Sequence, residues 1–373
     1  MYDVIVVGAR CAGSPTAMLL ARKGYRVLLL DRHAFPSDTM HNHFIQLPGV
    51  LQLRRWGLLD QVAASNAPPI RVIATDLGDF LLPTPVAPLE DVDAHYAPRR
   101  FVLDTILVTS AVAAGADLRE HFTVHEIVWD GDCVVGVRGR ANGGAMVTEY
   151  GRIVIGADGA RSIVARAVQA PTYNERPVVT CGYYSYFSDV SLVGNEVYLR
   201  PDCAHINFPT NNGLICAAIQ VPIAEFHAFR ADIEGNFFRA LDRIPALGER
   251  VRAGQREERW YGTADLPNFF RKPYGPGWAL VGDAGYTKDP MLAQGISDAF
   301  RDAEALAEAV DAGFTGDIPL ADALAEYEQH RNDAAFSAYE ANYAAATFAP
   351  FPPEVLAMRA VARAGRNVPM TAI

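Results

Sequence analysis

The sequence predicts an α/β chain in which a parallel sheet flanked by helices is interrupted by a mostly antiparallel domain. Three observations carry this: a strand, helix, strand unit at the start, a β-branched and aromatic stretch over residues 178–220, and helix-periodic patterns over the last eighty residues or so. The 373 residues fit two domains, or one large α/β unit with an insertion, and with 50% hydrophobic and 20% charged residues the chain can fill an extended core. A net charge of −10 disfavours nucleic acid and anionic lipid as partners. Five scattered cysteines without C-x-x-C spacing predict neither a disulfide framework nor a zinc site. With no leader-like start and no apolar run of spanning length, a cytoplasmic protein without membrane insertion is expected.

In chain order, residues 4–7 form a short apolar run ending at Gly8. Residues 12–23 follow at helical spacing, Gly24 stops them, and a second apolar run over 27–30 ends in Asp31. Short, continuously apolar strands joined by a helix imply parallel pairing. Residues 47–65 and 103–113 repeat their apolar positions at three and four, as amphipathic helices do. From 122 to 155 the pattern turns to short strands punctuated at Asp130-Gly131-Asp132 and Asn142-Gly143-Gly144. Residues 178–220 then read as several antiparallel strands, with Asn212-Gly213 as a hairpin signal. A strand at 278–281 leads into helices near 293–310, 320–346 and 353–364. The resulting division places 1–75, 100–170 and 268–373 in the first domain and 76–99 with 171–267 in the inserted one, with the pocket between them.

The first turn, Gly8-Ala9-Arg10-Cys11-Ala12-Gly13, keeps the outer glycines of G-x-G-x-x-G and has Arg10 in the middle position. Gly8 permits a tight turn, Gly13 lets helix approach strand, and the helix start offers free N–H groups to a pyrophosphate. Asp31, followed by Arg32, closes the second strand where a carboxylate can accept from a ribose. Further on stand Ile153-Val154-Ile155-Gly156-Ala157-Asp158-Gly159-Ala160-Arg161-Ser162 and Trp278-Ala279-Leu280-Val281-Gly282-Asp283-Ala284-Gly285.

These three segments, in this order and nearly spanning the chain, resemble the fingerprints of the flavoprotein hydroxylase (group A monooxygenase) and geranylgeranyl reductase superfamily. The resemblance implies a Rossmann-like FAD-binding domain of the glutathione reductase and para-hydroxybenzoate hydroxylase type, with an inserted antiparallel substrate domain and C-terminal helices. It implies non-covalent FAD with NAD(P)H as transient reductant. Asp283 is then expected on a ribityl hydroxyl, and Gln294-Gly295-Ile296 opens a helix whose dipole favours charge on a reduced isoalloxazine. Arg100 matches the family's R-x-x-L arginine and belongs either on FAD or in a salt bridge, with Arg99 as its exposed neighbour. Asp158 either contacts the cofactor or holds its own turn. The loop over 35–49, carrying His41, His43 and Gln46, is placed along the flavin, with Gln46 on the cofactor.

For substrate the candidates are His43, Tyr184, Tyr186, His205, Asn207 and Pro290, and for catalysis His43, Tyr184 and Lys288. His43 is either a pocket donor or a structurally paired histidine. Tyr184 and Tyr186 share one face if 181–187 is a strand, as pocket wall or as ordinary core. Lys288 either stabilises an anionic flavin or oxyanion or is solvated, and the Tyr286-Thr287-Lys288-Asp289-Pro290 loop departs from the His and Pro-Pro of common hydroxylases. No W-x-W-x-I-P is present, which argues against a halogenase, and Ala204-His205-Ile206-Asn207-Phe208-Pro209 keeps only the Phe-Pro of the archaeal lipid reductases' motif. The leading expectation is an NAD(P)H-dependent FAD monooxygenase acting on a small organic substrate through a flavin C4a-hydroperoxide. The alternatives are an FAD-dependent reductase or dehydrogenase of carbon–carbon bonds and a flavin-binding regulator without turnover.

Overall fold

A computed structural model describes residues 1–40, 43–351 and 353–366; His41 and residues 367–373 lie outside the described residues. The strand Tyr2–Val7 is central in its sheet. It runs parallel to Val27–Leu30 on one side, Val4 opposite Val27, and to Val147–Gly156 on the other, Val4 opposite Ile153. Asp117–Arg119 extends one edge and Trp278–Leu280 the other, both in parallel. Because both faces are covered, the run over residues 4–7 is apolar at every position. Val4 and Val6 pack with the helices Gly13–Arg22, Arg100–Ala113 and Gly295–Thr315, while Ile5 and Val7 pack with the antiparallel strands Phe122–Asp130 and Cys133–Ala141.

The second sheet places Thr180–Ser188, Ile215–Pro222, Cys203–Pro209 and Asn195–Arg200 side by side, each antiparallel to the next. The hairpin signal lies where the sequence puts it: Asn212 (φ 62°) and Gly213 (φ 70°) both turn through the left-handed region. Three features depart from the sequence reading. Asn195–Arg200 pairs in parallel with Val72–Asp76, so that strand joins the second sheet although the sequence division leaves residues 72–75 in the first domain. The helices Phe226–Ala231, Ile233–Leu241 and Pro245–Ala253 cover the outer face of this sheet, making the inserted domain more than a set of strands. The helix expected over 47–65 is split at Gly57 (φ 77°) into Leu47–Arg55 and Leu59–Ala63.

Strand alternation sorts the second sheet into two faces. Cys181, Tyr183 and Phe187 join Ile219 and Val221 against the outer helices, whereas Tyr186 and its neighbour Tyr184 join Ala204, Ile206, Phe208 and Cys216 on the face toward the first domain. His205 and Asn207 alternate with Ala204, Ile206 and Phe208, so they lie on the outer face. Their expected place in the substrate pocket is therefore corrected: the His205 ring meets Phe237 of an outer helix with centroids 5.5 Å apart, and Asn207 Nδ2 donates to the Glu196 carbonyl at 3.4 Å. Their polarity suggests a site, but the strand's period of two sets them on the outer face.

His205 is fully buried and neither ring nitrogen has a partner among the described residues. Burial, reinforced by Arg200 and Arg243, lowers its pKa to about 3. A base whose folded pKa lies below its unfolded value of about 6.5 binds fewer protons when folded. It leaves stability intact above pH about 6.5 and removes about 1.4 kcal/mol per pH unit as the pH falls from there toward 3. His205→Leu should be as stable as the parent at pH 7 or more so, because apolar replacement of unpaired polar atoms costs nothing. It should also lose less stability than the parent between pH 6.5 and 4 in denaturant titrations. An unchanged slope with pH would contradict a neutral, unpartnered His205.

Candidate functional site

Three segments converge where Tyr2–Val7 ends. A Cβ on Gly8 (φ 104°) would lie 2.5 Å from the Ala157 carbonyl oxygen, and one on Gly13 would lie 1.8 Å from the Gly8 oxygen. From the third segment, a Cβ on Gly282 (φ 60°) would lie 2.7 Å from the Ala12 Cβ. These positions admit only glycine, and the helix Gly13–Arg22 has no side-chain cap at Ala12; the Arg10 carbonyl takes the Ser14 N–H at 3.0 Å and Pro15 has none to give, which leaves the Gly13 N–H of the first turn to a ligand. Asp31 is buried under the turn and accepts from the Ala9 N–H and the His33 N–H, each at 2.8 Å. It thus shapes the turn, and its remaining lone pairs can still accept from a ribose. Arg32 is exposed beside it.

The positive charge of the site is arranged by a residue the sequence reading left without a role. Asp104, fully buried, receives Arg10 Nη1 at 2.5 Å, Arg100 Nε at 3.1 Å and Nη2 at 3.0 Å, and lies 3.4 Å from Cys11 Sγ. Its signal was the i, i+4 spacing from Arg100 on one helix. Two guanidiniums share this one carboxylate, and Arg100 also acts on Asp283. Burial pushes the Asp283 carboxyl up to about 6, with Asp298 and Asp302 raising it and Arg100 and Lys288 opposing them. Asp158 holds its turn: its Oδ2 accepts from the Ile163 N–H at 2.6 Å, while Oδ1 is buried without a partner among the described residues.

Arg99 differs from the exposed neighbour expected. Its side chain is 7% exposed and joins Asp38 (2.7 Å) to Glu258 (2.8 Å), tying the loop along the first domain to the inserted domain. It also stacks 3.7 Å over the Tyr186 ring. Tyr186 O–H in turn meets His43 Nε2 at 3.0 Å. His43 Nδ1 lies 3.0 Å from the Ala97 carbonyl, which can only accept, so Nδ1 carries the proton and Nε2 accepts from Tyr186. Burial, with Arg99 adding to it, lowers the His43 pKa to about 3. The histidine is neutral and paired at both nitrogens. Tyr184 stacks on Tyr261 at 5.1 Å beside it.

At the other end of the site, Gln46 Nε2 donates to the Leu292 carbonyl at 2.6 Å. Pro290 opens the short turn Pro290–Leu292, and Gln294 is the N-cap of Gly295–Thr315 without a capping bond. A Cβ on Gly295 would meet nothing within 4 Å, and Ile296 behind it is buried. Lys288 Nζ sits 2.7 Å from Asp298 Oδ2, at an angle outside hydrogen-bonding geometry, so the lysine is ion-paired and buried, not solvated. The buried Gln294 Oε1 and Ser297 Oγ lack partners among the described residues. A glycine-lined cradle, an uncapped helix start, paired guanidiniums and orphaned polar atoms fit a dinucleotide with a polar ring system.

Residues 1–341 match the family described as FAD binding domain. The chain belongs to that family. FAD is the cofactor of this flavoprotein, and the enzyme is an FAD-dependent oxidoreductase of the group that spans monooxygenases, halogenases and geranylgeranyl reductases. Among its relatives, digeranylgeranylglycerophospholipid reductase 2 of Methanopyrus kandleri is 27% identical over 316 residues, which are 79% of this chain and 73% of that protein. The myxobacterial chondrochloren halogenase CndH shares the fold at a TM-score of 0.85 and 24% identity, covering 98% of this chain and 90% of that one. PqsL, a probable FAD-dependent monooxygenase from Pseudomonas aeruginosa, does so at 0.79 and 20%, covering 93% and 96%. No described helix of the flavoprotein is long and apolar enough to cross a membrane.

The two neighbouring arginines should separate in experiment. The structure shows Arg100 in a salt bridge with Asp104; on the expectation that it also supports the pyrophosphate, Arg100→Ala should weaken FAD binding about ten- to a hundredfold. Arg99→Ala should leave FAD affinity nearly unchanged and cost about 1 to 2 kcal/mol of stability, since its two carboxylate partners are partly solvated. FAD titration and thermal melting of both variants check this, and the reverse pattern would exchange their roles.

Proposed function

We propose that the flavoprotein is an NAD(P)H-dependent monooxygenase that transfers oxygen from O₂ to a small, largely apolar organic substrate held between the flavin loop and the inner face of the second sheet. Bound FAD supplies the hydride acceptor and the centre at which O₂ reacts. The chain's part is to bind, orient and exclude water. Gly8, Cys11, Ala12, Gly13 and Arg100 hold the pyrophosphate side, Asp283 and Gln294 the middle, and the N–H groups from Gly295 onward face the charge that reduction adds. Tyr184, Tyr186, Phe208 and Met291 belong to one apolar cluster, and this wall keeps water from the reacting atoms.

One observation carries the choice of oxygen transfer over reduction of a carbon–carbon double bond. Ene reduction ends by protonating substrate carbon, and among the described residues the inner face offers no ready acid. His43 is neutral and paired, the Tyr186 proton is committed to it, and burial holds the Tyr184 hydroxyl far above its ordinary range. The relatedness to the lipid reductase of Methanopyrus kandleri is what supports the second reading, an ene reductase. Lys288 fits a supporting role beside the ring, its charge balanced by Asp298.

Turnover under ¹⁸O₂ with NADH or NADPH across a panel of phenols, indoles and unsaturated isoprenoids decides between the readings. The expected result is one ¹⁸O atom in product with one equivalent of O₂ consumed. Anaerobic saturation of a double bond without label would establish the reductase instead.

A further inference from the structure

The turn leading from Pro290 to Gly295 is tied to three other parts of the chain through one buried aspartate. Asp289 is 1% exposed. Its Oδ2 accepts from the Thr180 hydroxyl, and its Oδ1 accepts from Gln220 Nε2 at 2.5 Å and from the Met291 N–H at 3.0 Å. Thr180 and Gln220 stand on adjacent strands of the second sheet and are joined to each other, Gln220 Nε2 to Thr180 Oγ1 at 2.7 Å. The backbone of Asp289 is held as well: its N–H donates to Asn268 Oδ1 at 2.8 Å and its carbonyl accepts from Asn342 Nδ2 at 2.6 Å. Asn342 Oδ1 then receives the Leu292 N–H at 2.9 Å.

Every proton in the hydrogen bonds to the Asp289 side chain comes from a partner, which is the arrangement a carboxylate needs and a carboxylic acid does not. Burial pushes the pKa up and the donors from Thr180, Met291 and Gln220 oppose it. Immediately beyond the knot the chain passes through Ala293 at φ 51° and ψ 44°, a conformation that an L-residue holds only where its surroundings over-determine it. Gly295 and the uncapped helix start follow two residues later.

We propose that Asp289 is a positioning residue for the bound flavin ring. It fixes the turn over 290–294, and with it the start of Gly295–Thr315, against the strands that form the substrate wall, so that ring and wall keep one geometry. The proposal rests on FAD lying along Gly282 and Gly295, which FAD titration of Asp283→Ala tests by itself through an expected loss of affinity, and it holds for either reaction considered above.

The test uses the FAD-loaded enzyme carrying Asp289→Asn, Thr180→Val or Glu196→Gln. Glu196 is the control: it is an equally buried carboxylate, held by Arg250 at 2.7 Å, the Tyr198 hydroxyl at 2.7 Å and the Val193 N–H at 2.9 Å, on the far side of the same sheet. All three variants should melt at lower temperature, as loss of any buried network would cause. Only the first two should change the visible circular dichroism of bound FAD, with its dissociation constant within about threefold of the parent's. Thr180→Val, which keeps the carboxylate's charge, should move the midpoint potential negative as the helix start slips from the ring. A change confined to melting, as in the control, overturns the proposal. So does a positive shift in Asp289→Asn with none in Thr180→Val, which would make Asp289 a charge and not a positioner, and so does loss of FAD from both. If Asp289→Asn does not fold, Thr180→Val carries the test.

Discussion

Backbone meets backbone where the first strand ends, and the rest of the molecule is arranged around that contact. Gly8 presses on the Ala157 carbonyl, Gly13 on the Gly8 carbonyl, and Gly282 on the Ala12 methyl. A single added methyl at Gly8 or Gly282 would force apart segments about 150 and 270 residues distant in the chain. The close approach brings the ends of three parallel strands to one point, and that point is where a helix start can present its N–H groups without a side chain in the way. The apolar packing of Val4, Val6, Ile153 and Ala279 beneath it serves to hold those ends in register.

Charge in the site is organised in alternation: Arg10, Asp104, Arg100, Asp283. A buried carboxylate shared by two guanidiniums keeps both in place. Lys288 with Asp298, and Arg301 with Asp298 and Asp302, repeat the device at the start of Gly295–Thr315. In both places the residue that orients the cation is an acid set within the helix that also supplies it or faces it, so the local electrostatics depend on helix register more than on loop conformation.

Much of this was legible in the sequence, and the part that was not has a physical reason. The parallel sheet, the hairpin at Asn212-Gly213 and the long C-terminal helices follow from runs of apolar residues and from glycines with fixed conformational roles. The glycine turn and the two Asp-Gly and Gly-Asp segments were visible because close approach restricts residue type. Arg99 was invisible as a buried bridge because its partners, Asp38 and Glu258, lie 61 and 159 residues away. Asp289 was read only as a departure from a Pro-Pro pattern, since its donors come from four different elements. His205 and Asn207 were misplaced for a local reason, the neglect of strand parity. Ionic partners and tertiary knots are set by how elements meet, which periodicity within one element does not encode.

The alternation along Thr180–Ser188 has a bearing on how such enzymes diverge. Cys181, Tyr183 and Phe187 are committed to the core beneath the outer helices, where a change of volume is felt throughout the domain. Gly182, Tyr184 and Tyr186, with Ala204, Ile206 and Ala218 across the adjoining strands, lie on the opposite face, toward the first domain. Two sets of residues interleaved on the same strands are thus subject to separate demands. Lineages can reshape one face by single substitutions while the other keeps the sheet folded, so a common scaffold can pass from one substrate to another without first becoming unstable.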